Sequence, residues 1–130
     1  MNTTVFLLLR LGIGVSMFGH GLVRLPKINA FSDWMTGSFA KSMLPLALVR
    51  PFSMALPFCE FIIGILLLAG LWTEAALLAT AALMLLLLFG TAMVENWEAV
   101  PSQLIHLLIV ALLIQFISSN TWAVDKAFNN

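Results

Sequence analysis

Charged residues and cysteine are scarce in this chain, and their scarcity excludes several classes of protein. Asp, Glu, Lys and Arg make up 9% of the 130 residues, whereas a soluble domain contains about 25%. A water-soluble fold could not bury the 62% of residues that are apolar, so the composition predicts one integral membrane domain over residues 1–130. The net charge is zero, so no basic surface indicates nucleic acid as a partner. Cys59 is the only cysteine, which excludes an intrachain disulfide and a Cys-x-x-Cys redox pair.

Several sequence motifs are also missing. The N-terminus has neither the basic segment nor the small-residue cleavage site of a signal peptide, so its apolar run is expected to remain as a span. The chain contains no phosphate-binding loop, no nucleophile triad and no metal-ligand cluster of useful spacing. The sequence therefore predicts no metal site and, at most, a subunit of a larger enzyme.

Long apolar runs are what the chain does contain. Residues 75–94 have no ionisable side chain, and about 20 helical residues cross the roughly 30 Å of a bilayer core. Similar runs predict four spans, at about residues 4–22, 52–71, 75–94 and 102–118, with Thr73 as the N-cap of the third. Each span is apolar on nearly every side, as expected of helices in a lipid bilayer. The predicted fold is an all-α, four-helix transmembrane bundle in a multi-pass protein.

The long connection between the first two spans has a pattern of its own. Apolar residues recur in it at helical spacing, namely Ile28, Phe31, Trp34, Met35 and Phe39. They predict a short interfacial helix with Trp34 at headgroup depth. The alternative is an ordinary ordered loop.

Cations are concentrated in the same connection, at Arg24, Lys27, Lys41 and Arg50. The positive-inside rule places the connection in the cytoplasm and both termini outside. If these cations serve a binding site instead, they do not report the orientation.

Two charges of opposite sign are predicted inside the membrane. At about 1.5 Å of rise per residue, Glu60 lies about 12 Å from the membrane side of the long connection, and Arg10 lies about 6 Å deeper on the neighbouring span, an offset that an arginine side chain can cover. An unpaired charge at such a depth costs about 3 kcal/mol or more, so we expect the two side chains to form an ion pair. The pair would either belong to a functional site or only lock two helices together, because a buried ion pair is weak evidence for stability.

Further polar residues are expected at one end of the bundle. The predicted polar cluster consists of His20, Glu60, Glu95 and His106, together with Lys27 from the long connection. Such groups could relay protons or hold a polar head group. The alternative is that each histidine bonds a nearby backbone carbonyl.

Two stretches of the chain resemble a known family. The first span reads LLRLGIGVSMFGHGLVRLPK, and the second reads PFCEFIIGILLLAGLWTEAALL. They resemble the opening and the glutamate-containing segment of the DoxX family of small membrane proteins. The resemblance implies a four-helix transmembrane bundle with recurring positions at Arg10, His20, Gly21, Lys27, Glu60 and Gly64. Gly14, Gly21 and Gly64 are expected to serve packing, because small residues let helices approach closely.

The resemblance leaves three functions open. Family members are associated with thiosulfate:quinone oxidoreductase and terminal oxidase systems. The resemblance therefore implies a subunit of the prokaryotic plasma (inner) membrane that binds a quinone or another small redox substrate. A second possibility is a non-catalytic anchor or assembly factor that binds a protein partner or forms a homo-oligomer. A third is a b-type haem protein, with haem ligated by His20 and His106 on different spans.

Overall fold

The described chain is all-helical. The computed structural model describes residues 1–128, and no strand occurs within them. The helices are α1 (Thr3–Arg24), α2 (Ile28–Phe39), α3 (Leu46–Ala69), α4 (Thr73–Met93), α5 (Val100–Gln115) and α6 (Val124–Phe128). Short 3₁₀ turns lie at Leu25–Lys27, Trp97–Ala99 and Ile117–Ser119.

Four helical segments are long and apolar enough to cross a membrane, which confirms the predicted four-helix transmembrane bundle. They are Thr3–Phe39, Leu46–Ala69, Thr73–Met93 and Trp97–Gln115. The first segment combines α1 and α2, because only the turn Leu25–Lys27 separates the two helices. Large apolar side chains on the outer faces suit contact with lipid, for example Leu8, Ile62, Leu85 and Leu108.

The span boundaries differ most from the prediction at α3. The predicted span begins near residue 52, whereas α3 begins at Leu46, directly after Pro45. Pro51 and Pro57 lie inside the helix, and neighbouring helices make their lost backbone hydrogen bonds tolerable in a membrane protein. α3 ends at Ala69, and the next residue, Gly70, caps the helix with a φ of 71° that residues with a Cβ rarely adopt. The early start makes α3 long enough to pack against both α1 and α2.

The bundle has two layers of antiparallel helices. α3 packs against α1 and α2 in one layer, and α4 packs against α5 in the other. Buried apolar side chains fill the space between the layers, namely Phe6, Ile13, Met17, Leu56, Ile63, Leu67, Leu77, Val110 and Leu113. The tight turn between α3 and α4 joins the layers at one end. At the other end, where α2 lies, the layers leave a cavity between them.

The short helix predicted in the first connection is present as α2. Its buried residues are Ser32, Met35 and Thr36, and Ser32 Oγ lies 2.6 Å from Ser53 Oγ of α3. Trp34 is 63% exposed on a different side of the helix. The existence of the helix is therefore confirmed, whereas its location at headgroup depth stays a prediction.

The chain after α5 folds back over the turn between α3 and α4. We call residues 117–125 the C-terminal segment. The carboxylate of Asp125 accepts hydrogen bonds from the backbone N–H groups of Trp72 and Thr73 and so caps α4. The prediction that Thr73 is itself the N-cap is wrong, because Thr73 is the first helical residue and a distant carboxylate supplies the cap. Burial raises the pKa of Asp125, but the hydrogen bonds from Thr73 and Trp72 and the charge of Arg10 outweigh it and hold the pKa below its ordinary value.

Candidate functional site

A cavity of about 580 Å³ lies between the two layers. Its walls are largely apolar and include Met17, Met35, Phe52, Leu56, Met84 and Leu87. Its polar lining includes His20, Arg24, Glu60, Thr91, Gln103 and His106. Cavities of about 300–1,000 Å³ with apolar walls and a few polar groups are typical small-molecule sites. We therefore treat this cavity as the candidate functional site.

An ion pair lies in the cavity wall. Arg24 Nη1 donates to Glu60 Oε1 at 2.8 Å, and 29% of the Arg24 side chain and 4% of the Glu60 side chain are exposed. Arg24 Cζ also lies 4.5 Å from the centre of the Phe31 ring, in a cation–π contact that orients the guanidinium group. A guanidinium group carries five N–H donors, and the bond to Glu60 uses one of them.

The predicted pair between Arg10 and Glu60 is wrong. Arg10 Nη1 donates instead to Asn120 Oδ1 and to the carbonyl oxygen of Trp122, both at 2.8 Å. The packing of α1 on α3 places Gly21 against Phe61 and Gly14 against Leu68, so Glu60 lies beside the C-terminal end of α1 and not beside Arg10. The C-terminal segment reaches back to Arg10 instead. Arg10 is 2% exposed and does not line the cavity.

Both histidines line the cavity, and hydrogen bonds locate their ring protons. His20 Nδ1 lies 2.6 Å from the carbonyl oxygen of Ser16, and His106 Nδ1 lies 2.7 Å from that of Ser102. A carbonyl oxygen can only accept, so Nδ1 carries a proton in each ring, and Nε2 of the neutral ring is an acceptor. The structure thus shows the alternative in which each histidine bonds a nearby backbone carbonyl, and it also leaves both rings at the cavity.

The two histidines differ at Nε2. His106 Nε2 lies 2.7 Å from Ser16 Oγ, which donates to it and ties α5 to α1. Within residues 1–128, Nε2 of His20 has no hydrogen-bond partner, so it is a base available to a ligand. This arrangement does not favour haem between the two histidines, because both ring nitrogens of His106 are already bonded.

α4 and α5 add a second polar group to the cavity. Gln103 Nε2 donates to Thr91 Oγ1 at 2.9 Å and links the two helices. Gln103 Oε1 is buried and has no hydrogen-bond partner among residues 1–128. Because buried carbonyl oxygens are normally paired, this oxygen is a place where a ligand hydroxyl can donate.

Two residues of the predicted polar cluster lie elsewhere. Glu95 and Lys27 are exposed, and neither lines the cavity. Glu95 is in the turn after α4, with a φ of 57°, and Lys27 ends the 3₁₀ turn after α1. The cavity therefore brings together three predicted residues, His20, Glu60 and His106, and adds Arg24.

The three glycines predicted to serve packing lie where α1 and α3 approach each other. A Cβ on Gly21 would lie 2.6 Å from Phe61 Cα, and a Cβ on Gly64 would meet the backbone of Phe18. Gly14 leaves slightly more room, with Leu68 at 3.1 Å from its Cβ position. The close approach of α1 and α3 brings Arg24 and Glu60 within bonding distance.

Comparison with known proteins identifies the family. A family model described as DoxX matches residues 5–96, which include α2, α3, α4 and all but the first two residues of α1. The chain belongs to the DoxX family. DoxX proteins are small multi-span membrane proteins, in agreement with the four apolar segments. No curated protein and no solved structure gives a significant match to the chain.

The match divides the site of this DoxX protein into two parts. His20, Arg24 and Glu60 lie within the matched residues, whereas Gln103 and His106 lie beyond residue 96. α5 therefore completes the cavity of this DoxX protein with side chains from outside the family match.

Among the ionisable residues that line the cavity, Arg24 is the one that sequence reasoning missed, and Thr91 and Gln103 are uncharged site residues that it also did not assign. A first span that ends at residue 22 assigns Arg24 to the following loop, whereas α1 continues to Arg24. Residues four positions apart share a helical face, so the spacing of His20 and Arg24 was the available signal. The engagement of Arg24 with Glu60 also weakens its use as a marker of orientation, which stays a prediction.

Proposed function

We propose that this DoxX protein is a membrane subunit of an oxidoreductase system and that its cavity binds the head group of a quinone. The observation that supports the proposal is the Arg24–Glu60 pair beside His20 in one apolar-walled cavity. Ionisable groups inside membrane proteins are costly and are usually functional. A quinone ring suits this lining, because its faces are apolar and its two oxygens accept hydrogen bonds.

The cavity offers partners to both redox states of a quinone. The oxidised ring has carbonyl oxygens, which the remaining N–H donors of Arg24 can bind. The reduced ring has hydroxyl groups, which can donate to the Glu60 carboxylate or to Gln103 Oε1. The same set of side chains can therefore hold the ligand before and after reduction.

Proton exchange is the chemical step assigned to this chain. Reduction of a quinone to a quinol takes up two electrons and two protons. His20 Nε2 can accept a proton from outside the cavity and pass it to a ligand oxygen, because the bond to Ser16 keeps the other ring proton on Nδ1. The electrons would come from a partner oxidoreductase subunit with its own redox cofactor. A quinone-linked function also agrees with the predicted location in the prokaryotic plasma membrane.

Quinone binding to Glu60→Gln tests the proposal. Trp34 lines the cavity, so a bound quinone should quench its fluorescence, and a Trp34→Phe variant identifies this contribution. We expect Glu60→Gln to raise the Kd of a short-tailed quinone about tenfold, equivalent to about 1.4 kcal/mol, because Arg24 loses its ionic partner. Glu74→Gln is the matched control, since it makes the same change on an exposed residue outside the cavity. Wild-type affinity in Glu60→Gln, or no saturable quenching in the wild type, would contradict the proposal.

A membrane anchor or assembly factor is the competing function. The observation that favours it is the exposure of Trp34 on α2. This residue is 63% exposed and is therefore available to a protein partner. An anchor would use the Arg24–Glu60 pair only to hold α1 on α3. It predicts that deletion of residues 31–39 abolishes partner assembly, whereas Glu60→Gln leaves assembly unchanged.

A further inference from the structure

Ser16 on α1 contacts both cavity histidines, and it does so through two different groups. Its backbone carbonyl oxygen lies 2.6 Å from Nδ1 of His20, which is one helical turn further along α1. Its hydroxyl oxygen lies 2.7 Å from Nε2 of His106 on α5. Ser16 is not among the residues that line the cavity. One residue outside the cavity lining therefore sets the hydrogen bonding of both rings.

The two groups of Ser16 act on different nitrogens of the two rings. The Ser16 carbonyl oxygen can only accept, so it holds a proton on Nδ1 of His20 and leaves Nε2 without a partner within residues 1–128. In His106, the carbonyl oxygen of Ser102 already holds the proton on Nδ1, so the Ser16 hydroxyl donates to Nε2 of the neutral ring. Neutral His106 consequently has no free nitrogen, whereas neutral His20 has one.

The direction of the Ser16 hydroxyl differs from that of other hydroxyl groups in these helices. A serine or threonine inside a helix commonly donates to the carbonyl oxygen four residues earlier. Thr36, Ser38 and Thr80 form this bond in α2 and α4. Ser16 instead directs its hydroxyl to His106 on a different helix. Its bond to His106 is therefore a tertiary contact and not a local property of the helix.

Close packing does not explain the contact between α1 and α5 at this point. Gly12 and Gly19 share a face of α1 with Ser16, since they lie four residues before it and three residues after it. Nothing lies within 4 Å of the Cβ position of either glycine. The long side chain of His106 crosses to this face and meets the Ser16 hydroxyl. A hydrogen bond, and not interlocking side chains, thus joins the two helices here.

We infer that Ser16 is a positioning residue that gives the two histidines different roles. It reserves His20 as the histidine base of the cavity, and it makes His106 a neutral tie between α5 and α1. Without the Ser16 hydroxyl, Nε2 of His106 would become a second base in the cavity lining. This inference rests on the proposed function, because it specifies which histidine exchanges a proton with the ligand.

Acylation by diethyl pyrocarbonate tests the inference, because this reagent attacks an imidazole nitrogen that has a free lone pair. Peptide mass spectrometry of protein in lipid nanodiscs gives the rates at His20 and His106 separately. We expect the wild type to react mainly at His20. We expect Ser16→Ala to raise the rate at His106 about fivefold, because a hydrogen bond of ordinary net strength no longer has to open first.

Two further variants separate the hydroxyl from general effects on the site. Ser102→Ala is the matched control, since it removes a hydroxyl one helical turn from His106 but keeps the carbonyl oxygen that bonds Nδ1. It should leave the rate at His106 unchanged. Ser16→Thr keeps a hydroxyl at position 16 and should keep the rate at His106 close to that of the wild type.

The outcomes separate this inference from the proposed function. An unchanged rate at His106 in Ser16→Ala, or an equal rise in Ser16→Ala and Ser102→Ala, would overturn the inference. A saturating short-tailed quinone should slow the acylation of His20 in the wild type, and a lack of protection would contradict the proposed function but not the role of Ser16. If Ser16→Ala does not fold, Ser16→Cys supplies a weaker donor and should raise the rate at His106 by a smaller factor. An unchanged rate in that variant would also overturn the inference.

Discussion

Two arginines on α1 have different surroundings. Arg10 is 2% exposed and donates two hydrogen bonds to the C-terminal segment. Arg24, at the other end of the helix, keeps 29% of its side chain exposed and pairs with Glu60 in a cavity wall. A charge within a membrane helix therefore does not identify a binding site by itself. The two arginines differ in their surroundings, because a cavity lies next to Arg24 and not next to Arg10. They also differ in how many N–H donors of the guanidinium group remain for a ligand.

The polar network around Arg10 is nearly closed. Asn120 accepts from Arg10 and donates through Nδ2 to Thr73 Oγ1 at 3.0 Å. The backbone N–H of Asp125 donates to the carbonyl oxygen of Gly70 at 3.0 Å. Within this network, Arg10 Nε is the only buried side-chain nitrogen or oxygen atom without a hydrogen-bond partner in residues 1–128. The network fastens the helix ends together, whereas the Arg24–Glu60 pair faces an open space.

Loss of Arg10 should cause the largest change in stability. Arg10→Met leaves Asn120 Oδ1 and the carbonyl oxygen of Trp122 without their donor in partly buried surroundings, so we expect the free energy of unfolding to fall by on the order of 3 kcal/mol. Thermal unfolding in mild detergent measures the effect. Lys126→Met removes an exposed cation from the same end and should leave the Tm unchanged. The folded fraction of Arg10→Met should bind quinone normally. A normal Tm together with lost quinone binding would contradict this account, because Arg10 would then serve binding and not stability.

A bulky residue at Gly64 should affect both regions. A side chain at this position meets the backbone of Phe18, so Gly64→Leu must push α1 away from α3. We expect a loss of about 2 kcal/mol in stability, together with weaker quinone binding, because the shift separates Arg24 from Glu60. Gly12→Leu is the control, since nothing lies within 4 Å of its Cβ position. Similar Tm values for the two variants would show that α1 and α3 can separate without cost.

The cap on α4 should make a smaller, pH-dependent contribution. Asp125→Ala removes the acceptor for the N–H groups of Trp72 and Thr73, which should cost about 1 kcal/mol at neutral pH. Because the folded-state pKa of Asp125 is lowered, its stabilisation is complete above the ordinary aspartate pKa of about 3.9 and is lost as the pH falls through the folded-state value. The Tm difference from the wild type should therefore shrink below about pH 4. The exposed Glu98→Ala is the control, and a difference that persists in acid would exclude the charged cap.

Glu60→Gln should have the smallest effect on stability. Arg24 is partly exposed and can remain solvated after its partner becomes neutral, so we expect a change within about 1 kcal/mol. Its quinone affinity should nevertheless fall, in contrast to Arg10→Met. A fall in Tm as large as that of Arg10→Met would mean that the cavity pair is as structural as the Arg10 network.

The fold was more predictable from the sequence than the site. Apolar runs and helical spacing were sufficient for the four spans and for α2, because these features depend on local composition. The pairing of Arg10 was not predictable, because it depends on how residues 117–125 fold back, and no periodic pattern marks that return. His20 and Glu60 were found because ionisable groups are rare in the spans. Arg24 was missed because the predicted first span ends at residue 22, whereas α1 continues for two more residues, to Arg24.

The most direct test of the central claim is the quinone content of the purified protein. Protein from quinone-replete membranes would be purified in mild detergent, and its organic extract quantified by mass spectrometry for the wild type, Glu60→Gln and Glu74→Gln. The account predicts near-stoichiometric quinone in the wild type and in Glu74→Gln, and little in Glu60→Gln. A wild type that carries only phospholipid, or equal quinone in all three proteins, would contradict it.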